Sequence, residues 1–133
     1  MKQVDLVRRQ EGEKLLRAFE ELRGAPALEF QKRMSNDPAL LHAFTENYKN
    51  CTRTENAMPR KYRELIMMAL GCATGTHTTI LTHGHLAFEN GASVEEVGEA
   101  LRIVLFMCGT TAVIPAMELF DLPEKDEEKK NEI

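Results

Sequence analysis

MPRKYRELIMMALGCATG, residues 58–75, decides the fold class. Its centre, LIMMAL at 65–70, is apolar all round, and a helix with no polar face is expected to be buried on every side. Met58-Pro59 opens this helix. Gly75 closes it as a left-handed cap, a conformation that glycine adopts without a steric cost.

The flanking sequence is helical as well. Upstream, Leu15, Leu16, Ala18, Phe19 and Leu22 form an apolar stripe that stops at Gly24-Ala25-Pro26. A short helix is expected over 27–35. Asn36-Asp37-Pro38 then reads as a cap followed by a first-turn proline. Leu40, Leu41, Phe44 and Tyr48 mark the next helix, and the polar link NCTRTENA separates it from the central one. Downstream, a helix is expected from Thr76 to Asn90 with Gly91 as its cap. Ser93-Val94-Glu95-Glu96 fits a capping box, in which hydroxyl and carboxylate satisfy each other's exposed amides. Val94, Val97, Leu101, Val104, Leu105 and Cys108 follow at helical spacing. Cys108-Gly109-Thr110-Thr111 reads as a break. A last helix carries Val113, Ile114, Met117 and Phe120, with Pro115 in its first turn. The tail PEKDEEKKNEI, 123–133, is almost all charged and reads as frayed. No stretch alternates as a strand should, and no repeat of solenoid period occurs. The expectation is an all-α, compact bundle of six to seven helices, a single domain over 1–122, a size that suits one core.

Composition narrows the partners. With a net charge of −4 and scattered basic residues, the chain has no basic stripe with interleaved aromatics, so nucleic acid is not expected. The start, MKQVDLVRRQEGEKLL, is charged throughout, and no apolar run approaches membrane-spanning length. A cytoplasmic protein without a membrane partner is expected. Cys51, Cys72 and Cys108 are odd in number and far apart in sequence, which suggests reduced, mostly buried thiols. Leu65–Leu70 and the stripe from Leu101 to Met107 offer more apolar surface than one small subunit buries. A homo-oligomer is therefore expected.

Three of the four histidines, His77, His83 and His85, lie in TGTHTTILTHGH, residues 74–85. A helical zinc pair needs histidines at i and i+4. His83 and His85 sit about 200° apart around a helix. His77 and His85 are about 12 Å apart along it. No pair chelates one ion by itself, and no metal site is expected. His85 and His77 read most simply as solvated. His83 lies between Ile80-Leu81 and Leu86-Ala87, where its imidazole would be partly desolvated and able to trade protons. Taken alone, the sequence favours the plainer reading of His83 as a core histidine with one satisfied hydrogen bond. Glu64, directly before LIMMAL, is either a first-turn carboxylate favoured by the helix dipole or a partly buried general base or relay.

Arg63-Glu64-Leu65-Ile66, the stretch from Ala69 to Thr74-Gly75, His83, the stretch from Ala87 to Ala92, and Glu95 through Leu101 resemble, in that order and spacing, the carboxymuconolactone decarboxylase and alkylhydroperoxidase-D-like family over residues 38 to 120. The resemblance implies an all-α, peroxiredoxin-like assembly of intertwined subunits, as trimers or hexamers. It also implies catalytic roles for the histidine and glutamate that His83 and Glu64 match. The family's peroxidase branch uses a Cys-x-x-Cys pair, and in this chain Thr76 and Thr79 occupy those positions. A threonine hydroxyl forms neither a sulfenic acid nor a disulfide, so thiol peroxidase chemistry is not expected. Cys72 and Cys108 are expected to be inert substitutes.

The decarboxylase branch, which converts γ-carboxymuconolactone to an enol-lactone without a cofactor, needs no cysteine pair. Such chemistry asks for a cationic grip on carboxylates, enolate stabilisation and a proton donor to carbon. His83 would do the acid–base work, with Glu64 orienting it or sharing the proton. Arg60 or Arg63 could hold a carboxylate of the substrate. Thr76 and Thr79, at a helix start, could donate to an anion or serve as simple caps. The branch's charged, His-containing stretch is replaced here by Thr-His-Thr-Thr, with His77 shifted by one place. The leading expectation is thus a cofactor-free lyase or isomerase acting on a small carboxylated organic molecule. The alternatives are a thiol antioxidant protein, and an oligomeric binding protein that has the fold without the chemistry.

Overall fold

A computed structural model of the chain describes residues 1–52 and 56–123. The charged tail lies outside the described residues apart from Pro123, as do residues 53–55 of the polar link. The described chain is all-α: seven α-helices and a terminal 3₁₀ segment. Where the sequence reading has one domain over 1–122, packing divides the chain into two compact units, Met1–Asn56 and a second from Ala57 onward.

The first unit holds α1 (Leu6–Arg23), α2 (Glu29–Met34) and α3 (Pro38–Thr52). Asp5 caps α1 by accepting from the Arg8 amide, and Gly24 ends it with φ 70°. Aromatic rings form the centre of this unit. Phe19, fully buried, meets Phe44 and Tyr48 edge-on, with centroids 5.6 and 5.1 Å away, the arrangement that ring quadrupoles favour. Asp37 caps α3 as expected, its carboxylate accepting from the Ala39 amide at 3.2 Å. α3 runs on through Asn50, Cys51 and Thr52, so the polar link starts later than its composition suggests.

The second unit is built on α4 (Arg60–Thr74), α5 (His77–Glu89) and α6 (Val94–Cys108), followed by α7 (Thr110–Val113) and a 3₁₀ segment, Ile114–Leu119. α4 and α5 form a hairpin around Gly75, whose φ of 69° provides the left-handed cap. They pack closely because Gly71 has no side chain. A Cβ there would lie 2.9 Å from the Ile80 backbone nitrogen. Gly84 of α5 likewise admits Leu119. The core collects Leu65, Met68 and Cys72 of α4, Ile80 and Ala87 of α5, Val97, Leu101 and Val104 of α6, and Ala116 and Leu119. Each fully buried large side chain, such as Met68 or Ile80, contributes about 1.5–3 kcal/mol. The capping box forms as read: Ser93 Oγ accepts from the Glu96 amide, and the Glu96 carboxylate accepts from the Ser93 amide.

Two expectations need correction. LIMMAL is not buried on every side within this chain: Leu65 and Met68 face the core, while Ile66 and Leu70 are exposed. The last helix is also not one α-helix. Four residues of α-helix pass into 3₁₀ geometry at Ile114-Pro115, where proline lacks the N–H that an α ladder would use.

Candidate active site

The site lies on the α4–α5 hairpin. Glu64 is on the inward face of α4, one turn before Met68, and is 2% exposed. A carboxylate so deep in the protein needs partners, and it has two. Its Oε2 lies 2.6 Å from His83 Nδ1 on α5, and its Oε1 accepts from Arg60 Nε at 3.3 Å, one helical turn earlier. When Glu64 is ionised it only accepts, and His83 Nδ1 is then the donor in this pair. The contact holds the ring's orientation. In that tautomer Nε2 is the ring nitrogen with the lone pair. The His83 side chain is 25% exposed, so the ring is shielded on one edge without being sealed from a substrate.

The remaining sequence candidates are placed as follows. Arg60 serves first as the second partner of Glu64, with half of its side chain exposed. Arg63 is half-buried on the same turn of α4, about 100° around the axis from Glu64. Thr76 is the N-cap residue of α5 but makes no side-chain cap bond; its hydroxyl pairs with that of Thr74 at 3.1 Å. Thr79 turns toward α4, with its γ-methyl 3.0 Å from where a Gly71 Cβ would lie. His77 pairs through Nε2 with Glu118 at 3.2 Å, tying the start of α5 to the 3₁₀ segment. His85 is exposed. The structure therefore joins Arg60, Glu64 and His83 into one chain of contacts and sets His77, Thr76 and Thr79 on other partners. Sequence reasoning missed that Arg60 holds Glu64. The signal was present: arginine and glutamate at i and i+4 face each other on a helix.

Cysteine placement differs from the expectation of mostly buried thiols. Cys72 is buried, and desolvation, followed by the neighbouring Cys108, pushes its thiol up from the usual range. Cys51 and Cys108 are exposed. Among the described residues, no group of three or more His, Cys, Asp or Glu comes together to hold a metal ion, and no helix is long and apolar enough to cross a membrane.

The fold and site together define a small all-α protein whose helical hairpin sets a buried glutamate against a histidine of the next helix. The family model for the carboxymuconolactone decarboxylase family matches residues 38–122, and the chain belongs to that family. No curated protein and no solved structure matches the chain.

Proposed function

We propose that this protein is a cofactor-free lyase or isomerase of the carboxymuconolactone decarboxylase family, acting on a small carboxylated compound. The observation that carries the reading is the 2.6 Å contact between His83 Nδ1 and the buried Glu64 carboxylate. It leaves Nε2 to take a proton from carbon or return one, while Glu64 stabilises the imidazolium formed in between. Arg60 spends only Nε on Glu64. Its two terminal amino groups are the ones to grip a substrate carboxylate, a planar fork that an anion matches at two points. Decarboxylation then proceeds by loss of CO₂ into an enolate held near cationic groups, followed by protonation at carbon.

The test is the disappearance of γ-carboxymuconolactone ultraviolet absorbance with wild type beside His83→Ala. Turnover by wild type alone supports the reading. If wild type is inactive on this compound and on related carboxylated lactones, and no such lactone binds in calorimetry, an oligomeric binding protein becomes the better reading. Thiol peroxidase turnover at the family's cysteine positions is disfavoured by Thr76 and Thr79, whose oxygens have no redox chemistry.

The working form in this proposal is a homo-oligomer, a trimer or hexamer. Ile66 and Leu70 on α4, and Ile103, Phe106 and Met107 on α6, are exposed apolar side chains, Phe106 at 85%. Several large exposed apolar side chains on two helices support an association face. Light scattering that gives a monomer at micromolar concentration would overturn it.

A further inference from the structure

The first unit has a cleft that shares no residue with the Glu64–His83 pair. Its volume is about 650 Å³, within the range of small-molecule sites. Arg8, Glu11 and Leu15 form one wall; their spacing puts them on one face of α1. Pro38, Ala39 and His42, from the start of α3, form the other. The α1 wall lies outside the span that the family model matches. Close packing and hydrogen bonds hold the walls in place. Gly12 lets the Ser35 backbone lie directly on α1, where a Cβ would meet the Ser35 carbonyl oxygen. The Gln3 amide donates to Asn36 Oδ1 at 2.8 Å, and Gln3 Nε2 donates to the Asn36 carbonyl at 3.0 Å. The other polar atoms of this frame are also spent. Gln3 Oε1 accepts from the Asp5 amide, Asn36 Nδ2 donates to the Arg33 carbonyl, and Asp37 caps α3. Arg8 and Glu11 are different. They are three residues apart, a spacing at which helix charges can pair. Among the described residues, neither side chain makes a hydrogen bond or an ion pair. The cleft therefore presents one open positive charge and one open negative charge on adjacent turns.

We propose that this cleft binds a free α-amino acid with an apolar side chain. The charges select a zwitterion. A simple anion matches Arg8 but meets the carboxylates of Glu11 and Asp37. A simple cation matches Glu11 but meets Arg8. A molecule carrying both charges satisfies both walls of that constraint. Its carboxylate takes the Arg8 guanidinium, a planar fork that a carboxylate fits at two points. Its ammonium takes the Glu11 carboxylate. Its side chain covers Leu15, Pro38 and Ala39, removing apolar surface from water. The site is a binding site without chemistry of its own, and it stands whether or not the α4–α5 pair is catalytic.

The probe is free L-phenylalanine, titrated into the full chain at millimolar concentration and followed by ligand-observed NMR. Hydrocinnamate and phenethylamine are the same molecule without its ammonium and without its carboxylate. The expected result is binding of the amino acid, with each half-ligand weaker by about tenfold or more, the effect of one charged hydrogen bond. Arg8→Gln should weaken the amino acid by a similar factor and remove its advantage over phenethylamine. Glu11→Gln should do the same and remove its advantage over hydrocinnamate. Both positions are exposed, so neither change disturbs the packing, and circular dichroism confirms that each variant keeps its helices. His83→Ala should bind the amino acid as wild type does. No binding of the amino acid, hydrocinnamate binding as tightly as it does, or binding that survives both Arg8→Gln and Glu11→Gln would overturn the proposal.

Discussion

Gln31 in the first unit and Glu64 in the second are both polar side chains at most 4% exposed, yet they are used differently. Gln31 turns back on its own helix: its Oε1 accepts from the Leu28 amide three residues earlier, at 2.7 Å. The bond closes the start of α2 and reaches nothing else. Glu64 spends only one oxygen locally, on Arg60, and sends the other across to a histidine nineteen positions away. A local bond can be explained by helix capping alone. A long-range carboxylate–imidazole contact adds a desolvation cost that capping does not demand, and that cost is what the proposed acid–base role of the pair would account for.

The largest expected effect separates the two side chains by activity. His83→Ala and Glu64→Gln are expected to lower turnover of a responsive lactone by about 10²–10⁴-fold, the usual contribution of a positioned acid–base group. Gln31→Ala should leave turnover unchanged. Glu64→Leu sharpens the contrast, because replacing a buried charge with an apolar group of similar size is often neutral or stabilising. A Glu64→Leu protein that melts no lower than wild type but has lost turnover would assign Glu64 to function and not to folding. Equal losses in Gln31→Ala and Glu64→Gln would break the distinction.

The hairpin that brings Glu64 to His83 can be strained independently. Gly71→Ala should destabilise by about 1–3 kcal/mol, because the new methyl meets the backbone of Ile80, which cannot rotate away. Gly84→Ala should cost less. Its methyl would meet Leu119 Cδ1, a closer clash, but with the end of a side chain that can change rotamer. Denaturant midpoints for the two variants check the order. If Gly84→Ala is the worse of the two, Leu119 is locked and the second unit packs more rigidly than this reasoning allows. Gln31→Ala comes next, at about 1 kcal/mol, the value of one hydrogen bond whose loss leaves the Leu28 amide unsatisfied.

What the sequence made legible follows the same local-versus-distant division. The Ser93–Glu96 box, the Gly75 cap and the Asp37 cap are settled within a few residues of chain, so spacing alone reveals them. Arg60–Glu64 was equally readable as an i, i+4 pair. His83–Glu64 was not: each residue stood out beside its apolar neighbours, but they are on different helices, and only the family resemblance joined them. The outward aspect of LIMMAL was misread because an unbroken apolar run states total hydrophobicity and does not say which side meets this chain's own core. The passage from α to 3₁₀ at Pro115 was also missed, since a first-turn proline is compatible with a full helix.

The smallest effect concerns the ion pair between the first turns of α4 and α6. Lys61 lies on Glu96, and its hydrogen bond, with that of the Ser93 amide, holds the Glu96 carboxyl below the usual range; Lys61 is correspondingly raised. A carboxyl depressed on folding contributes stability that is present above its unfolded pKa of 4.5 and is lost as pH falls through the lower folded value. A raised amine contributes stability that is present below its unfolded value of 10.5 and is lost as pH rises through the higher folded one. Glu96→Gln should therefore flatten the acid limb of the stability profile and leave the neutral plateau nearly unchanged, because pairs that solvent still reaches are worth little. Gln31→Ala, by contrast, should lower the whole profile evenly, since an amide does not titrate. If Glu96→Gln lowered the plateau as much as Gln31→Ala, the Lys61–Glu96 contact would be a fixed part of the α4–α6 packing and not a solvent-screened clasp.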